Sequence, residues 1–271
     1  KQGSHARSAL ATLLWPDYDG SNARVNLRQV LYQLRRTLGD EKADPAWLLI
    51  NRQMIGINRA AMWRVDVVTF RELLAATAAH PHQTLAGCEL CLERLQQAVD
   101  LYRNDFLTGF ALDDSATFEE WRRITQEQLF LQAFSALRQL TAAAIARGDD
   151  AAVLRYAQRQ LALEPWHEEA HRQLMAAYWR RGQRSVALAQ YESCCQLLAD
   201  ELGTAPDEET TALCGRIRAG APLATELLGD VPMVRALTAA GRAIPTPAAT
   251  GATDSWGPPP PAGDRLGHEI Q

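Results

Sequence analysis

Hydrophobic and polar positions change their rhythm twice along this chain. In ARSALATLLWP (6–16) the residues Ala9, Leu10, Leu13 and Leu14 recur at the spacing of one helix face, and Pro16 ends the run. DYDGSN then reads as a turn. In ARVNLRQVLYQLRRTLG (23–39), Leu27, Val30, Leu31, Leu34 and Leu38 lie three and four apart, which predicts a second helix stopped by Gly39. WLLINRQMIGIN (47–58) instead predicts two short strands around a polar tip of Asn51, Arg52 and Gln53. From Asp66 to about Gly220 the pattern is helical nearly throughout, with Asp66 the expected cap of VVTFRELLAATAA. CELCLERLQQAVDLYRNDF, TFEEWRRITQEQLFLQAFSALRQLTAAAIARG and four further helical segments follow, without strand-like alternation.

The helical region repeats. Gly148 falls on Gly182, Leu154 on Leu188 and Ala157 on Tyr191, a period of thirty-four residues. That is the tetratricopeptide period, two antiparallel helices per unit. In such a unit the glycine allows close approach at the turn and a proline ends the second helix, the place Pro165 takes. Pro206 comes later than the period requires, so an insertion is expected in ADELGTAPDEE.

Charge divides the chain at the same boundary. Residues 1–65 hold ten Lys and Arg against five Asp and Glu, whereas the remainder holds eighteen against twenty-seven. A small basic unit suggests nucleic acid, and the acidic remainder a solvated scaffold. The five cysteines, with Cys194 and Cys195 adjacent, are not a disulfide framework, so a reducing cytoplasm is expected. No uncharged apolar run reaches the roughly 18 residues a spanning helix needs. KQGSHARSAL is neither a signal peptide nor an initiator start, and the expectation is a chain that begins inside a domain.

The polar side of the second helix carries Arg28, Gln29, Tyr32, Arg35 and Arg36, with Asn26 and Gln33 at its edge and no acidic residue. Arg pairs bidentately with guanine, and Asn or Gln with adenine, so these are the donors that read major-groove edges and phosphates. The same face also reads as ordinary solvated surface. The order helix, turn, basic helix, hairpin is that of the later part of a winged helix, in which the second helix enters the major groove and the hairpin, here with Arg52 at its tip, touches the backbone.

Two stretches invite a metal reading. HEEAH (167–171) matches the H-E-x-x-H signature of zinc peptidases. A long-form third ligand would need Gly at 174 and His at 177, where Leu174 and Ala177 stand; Glu192 has the other spacing but belongs to the repeat. Glu168 and Glu169 suit a helix first turn without any metal. His80, His82, Cys88 and Cys91 are four potential ligands within a dozen residues, but both cysteines continue the apolar spacing of Leu92 and Leu95 and a second Cys pair is missing. The expectation is no metal, no cofactor and no catalytic site. Trp121, Trp166 and Trp179 are expected to pack in the core.

Trp15-Pro16-Asp17 with NLRQVLYQLRRTLGD (26–40), LYRNDFLTGF (101–110), EPWHEEAHRQLMAAYWRRGQRSVALAQYE (164–192) and LADELGTAPDEET (198–210) together resemble the antibiotic-pathway regulator (SARP) family. The resemblance covers roughly residues 5–220, in the family's order. It implies a mainly α chain: a truncated winged helix-turn-helix over 1–64, lacking that domain's N-terminal strands and first helix, then an all-α, tetratricopeptide-like bacterial transcriptional activator domain over 65–220. The implied function is a DNA-binding transcriptional activator, with Asn26, Arg28, Gln29, Tyr32, Gln33, Arg35, Arg36 and Arg52 facing double-stranded DNA at promoter repeats. The helical domain would serve assembly with RNA polymerase or a second copy, or signal coupling. The alternative is a tetratricopeptide-type interaction module with no DNA binding of its own. Residues 221–271 are Pro-, Ala- and Gly-rich; a short helix at 231–243 and a polyproline II stretch at Pro258–Pro261 are expected within a disordered linker. In the family such a linker often leads to another, frequently nucleotide-binding, domain, so a piece of a longer protein is expected.

Overall fold

The computed structural model describes residues 4–222. The helix expected at 231–243 and the polyproline stretch lie outside the described residues. The N-terminal unit runs β1 (Ser4–Ala6), α1 (Arg7–Leu14), α2 (Gly20–Leu38), β2 (Leu48–Ile50) and β3 (Met54–Ile57). β3 lies between the other two strands, antiparallel to both, and Ile55 is opposite His5 on one side and Ile50 on the other. β1 is not legible in the sequence, because three residues are too few for alternation to declare itself.

Ala11, Ala23, Leu27, Leu31 and Ile55 form this unit's core, with Leu10, Leu14, Trp15 and Ile50 packed around it. Two expectations are corrected here. Ala11, rather than Ala9 or Leu13, is the residue of α1 that is fully covered. Val30 and Leu34 of α2 are 44% and 41% exposed, because α1 and the hairpin cover only the Ala23–Leu27–Leu31 edge of the apolar stripe.

Seven helices follow among the described residues: α3 (Asp66–Ala79), α4 (Glu89–Leu101), α5 (Ala116–Ala146), α6 (Asp150–Leu163), α7 (Glu168–Arg180), α8 (Arg184–Leu202) and α9 (Glu208–Ala219). Asp66 is the first helical residue of α3 rather than its cap, which is Val65. α5 is the central helix; Leu137, Leu140 and Ala144 pack against Leu95 and Val99 of α4 and Val153 of α6. By length and composition alone α5 could cross a membrane, and half of that apolar stretch is buried within the fold.

The two repeat turns superimpose in their bonding. Gly148 and Gly182 have φ of +69° and +75°. After each, a backbone N–H closes onto a carbonyl five residues back, Asp149 to Ala144 and Gln183 to Tyr178, both at 2.9 Å. This is the left-handed helix stop that glycine adopts without penalty. Close approach is not the reason for the glycines, since nothing lies within 4 Å of a Cβ built at either. The insertion before Pro206 is extra helix: α8 has 19 residues where α6 has 14.

Candidate nucleic-acid interface

Asp19 starts α2. Its Oδ1 accepts from the backbone N–H groups of Ser21 at 2.8 Å and Asn22 at 2.9 Å, so the helix begins three residues before the periodic run. These hydrogen bonds, led by that from the Ser21 hydroxyl, hold the Asp19 carboxyl below its ordinary range. Gly39, at φ +64°, ends the helix.

The structure divides the expected DNA-facing set. Arg28, Gln29, Tyr32, Gln33 and Arg36 are all exposed on α2, and Arg52 is exposed at the hairpin tip. Arg28, Arg36 and Arg52 make no ion pair among the described residues. Asn26 is half-buried at the edge of the face. Arg35 is committed elsewhere: its Nε donates to Asp40 Oδ2 at 2.8 Å. Asp40, 2% exposed, also accepts from Leu48 N at 2.9 Å, tying the end of α2 to β2. The Arg35 hydrogen bond is the main cause that holds the Asp40 carboxyl low. Periodicity carries no sign of this brace, because it reaches five residues across a left-handed turn. At the tip, Asn51 Oδ1 accepts from Gln53 N and Met54 N, and Arg7 donates to the Asn51 carbonyl, so the hairpin presents Arg52 from a fixed turn.

A buried hydroxyl links the end of α1 to the start of α5. Ser115 Oγ donates to the Leu13 carbonyl at the end of α1, 2.5 Å away, and accepts from Phe118 N in the first turn of α5 at 3.2 Å. It caps one helix and satisfies an open carbonyl of another.

HEEAH resolves into packing. His171 is 1% exposed; its Nε2 donates to the Pro165 carbonyl at 2.9 Å, and its Nδ1 accepts from Gln190 at 2.7 Å. Both nitrogens are used, and burial pushes its pKa down, keeping the ring neutral. His167 stacks edge-on against Phe134 with ring centroids 4.9 Å apart. Glu168 accepts from Asp207 N and the Thr210 hydroxyl, and Glu169 pairs with Arg138 at 2.9 Å. Trp121 packs against Phe106 and Phe118 as expected, whereas Trp166 sits in a turn, 40% exposed, and is not a core residue. His80, His82, Cys88 and Cys91, by contrast, bring their donor atoms together within 4.8 Å of one another.

A strand, two helices and a wing-like hairpin joined to a helical repeat array define the architecture of a bacterial transcriptional regulator. A family model described as the bacterial transcriptional activator domain matches residues 65–218. The chain belongs to that family, among regulators of the SARP type. It is 26% identical over 234 residues to the transcriptional regulatory protein MoaR1 of Mycobacterium tuberculosis, covering 83% of this chain and 70% of that protein. It is 27% identical to the regulatory protein AfsR of Streptomyces coelicolor, with 80% and 20% covered. It is 30% identical to the transcriptional regulatory protein EmbR of M. tuberculosis, with 79% and 53% covered. The solved structure of M. tuberculosis EmbR in complex with a low affinity phosphopeptide superimposes with a TM-score of 0.50 at 25% identity, over 82% of this chain and 56% of that one. The chain thus spans about half the length of EmbR and a fifth of AfsR.

Proposed function

We propose that the chain binds double-stranded DNA in the bacterial cytoplasm, with α2 entering the major groove and the β2–β3 hairpin reaching the adjacent backbone. The observation that carries this reading is the division of the arginines. Among the described residues Arg28 and Arg36 stand exposed without an acidic partner beside Gln29, Tyr32 and Gln33, while Arg35 is paired with Asp40. Cationic side chains free of partners are available to phosphates and guanine edges, and neighbouring amide side chains to adenine. A module without DNA binding would be favoured if the repeats covered this face; the face is open to solvent.

The helical array would hold two such readers, or one reader and RNA polymerase, in register on promoter repeats, and the Ser115–Leu13 hydrogen bond is one contact that links it to the reader. A fluorescein-labelled mixed-sequence duplex titrated with the protein at low salt tests the reading. Binding is expected, weakened by Arg28→Ala and by Arg36→Ala. An absence of binding, or variants that bind as the parent does, would overturn it.

A further inference from the structure

The loop between α3 and α4 gathers four soft or borderline donors at one point. His80 follows the last residue of α3, His82 lies two residues on, Cys88 immediately precedes α4 and Cys91 is in its first turn. Cys91 is fully buried, Cys88 and His80 half-buried, and His82 exposed. Cys91 Sγ lies 3.4 Å from His80 Nδ1 and 3.6 Å from His82 Nδ1, and Cys88 Sγ lies 3.6 Å from His80 Nδ1.

Hydrogen bonding meets these contacts only by sharing: a thiol sulfur accepts weakly as well as donating one proton, but the single His80 Nδ1 must serve two sulfurs. A tetrahedron accounts for all three contacts. With Zn–S of about 2.3 Å and Zn–N of about 2.0–2.1 Å, its S···N edges are about 3.5 Å. The donor set is the two-thiolate, two-imidazole set that tetrahedral zinc takes, and all four positions come from protein.

We propose that His80, His82, Cys88 and Cys91 form a structural zinc site that closes the α3–α4 loop. Coordination replaces the two thiol protons, which pass to solvent, and involves no change of oxidation state. With no open position, the metal has no catalytic water to activate. Its effect is mechanical. It pins the start of α4 to the end of α3, beside Leu85, which packs on the central core, and beside Glu89, which pairs with Arg147 at the far end of α5 at 2.6 Å. The loop then acts as a clasp on the first helix pair of the array. This departs from the reading of the two cysteines as small apolar residues.

The test uses the purified chain, prepared under reducing conditions without chelator. Metal analysis should find about one zinc per chain, lost in Cys88→Ser and Cys91→Ser. Cobalt added to the metal-stripped protein should give the visible and near-ultraviolet bands of a tetrahedral, thiolate-ligated ion. Because the buried Cys91 variant can fail by misfolding, His82→Ala at an exposed position is the second probe. It should keep the parent's far-ultraviolet circular dichroism while weakening zinc at least about tenfold in competition with a chromophoric chelator. Protein with free thiols that takes up neither zinc nor cobalt would overturn the proposal. So would metal retained undiminished in Cys88→Ser and His82→Ala, or a Cys88–Cys91 disulfide in freshly prepared protein. None of these outcomes depends on DNA binding.

Discussion

Replacing Ser115 by alanine removes two hydrogen bonds that belong to different parts of the molecule. The first is the cap on Phe118 N, and loss of an N-cap hydroxyl costs about 1 kcal/mol. The second leaves the Leu13 carbonyl without its side-chain partner at a site where Ser115 is fully buried, adding about 1 kcal/mol. The sum, about 2 kcal/mol, corresponds to a fall in thermal midpoint of roughly 4–8 °C for a chain of this size. Thermal unfolding followed by circular dichroism measures the total, and amide hydrogen exchange apportions it. Exchange should quicken both in the first turn of α5 and at the end of α1. A midpoint within about 1 °C of the parent would refute the reasoning. Faster exchange confined to α5 would refute the joint while leaving the cap.

Two further predictions concern the repeat. Gly182→Ala forces a Cβ into the left-handed region at φ +75°, with open space around it, so backbone strain alone should lower stability by about 1 kcal/mol in urea unfolding. His171 is held neutral by burial, its folded pKa below the ordinary 6.5. Above that value neither state binds the proton and the full stability is present. As pH falls below it the unfolded chain binds the proton first, and stability declines until the folded pKa is reached. The urea midpoint should therefore fall between about pH 7.5 and 5.5, and fall less in His171→Gln, which does not titrate.

Long one-sided patterns are legible in the sequence, and bonds made across turns are hidden in it. α5 is legible as a long run without Gly or Pro that Gly148 ends, although much of its second half is buried on several sides, and the hairpin is legible from its polar tip between two short apolar runs. Periodicity states which residues share a face, however, and not how far a neighbour covers it, so it groups Val30 and Leu34 with Leu27 and Leu31. Arg35 sits beside Arg36 in sequence, about 100° round the helix from it but still on the polar side, and nothing in the periodicity marks its pairing with Asp40, which Leu48 N also holds. His80, His82, Cys88 and Cys91 are visible as a spacing; what the spacing lacks is the helix-to-helix hairpin that closes them onto one point. The bond from Ser115 to Leu13 carries no signal, since the two are 102 residues apart.

The contrast between Arg35 and Arg36 gives the most direct test of the central claim, that the open face of α2 meets DNA. The measurement is the slope of log binding constant against log salt for a mixed-sequence duplex, in the parent and in each alanine variant. Removing one cation that neutralises a phosphate reduces that slope by about 1. Arg36→Ala should show about that reduction while keeping the parent's unfolding midpoint; Arg35→Ala should keep the slope and lower the midpoint, because its partner is Asp40. An unchanged slope in Arg36→Ala, or a reduced slope in Arg35→Ala at undiminished stability, would contradict the account.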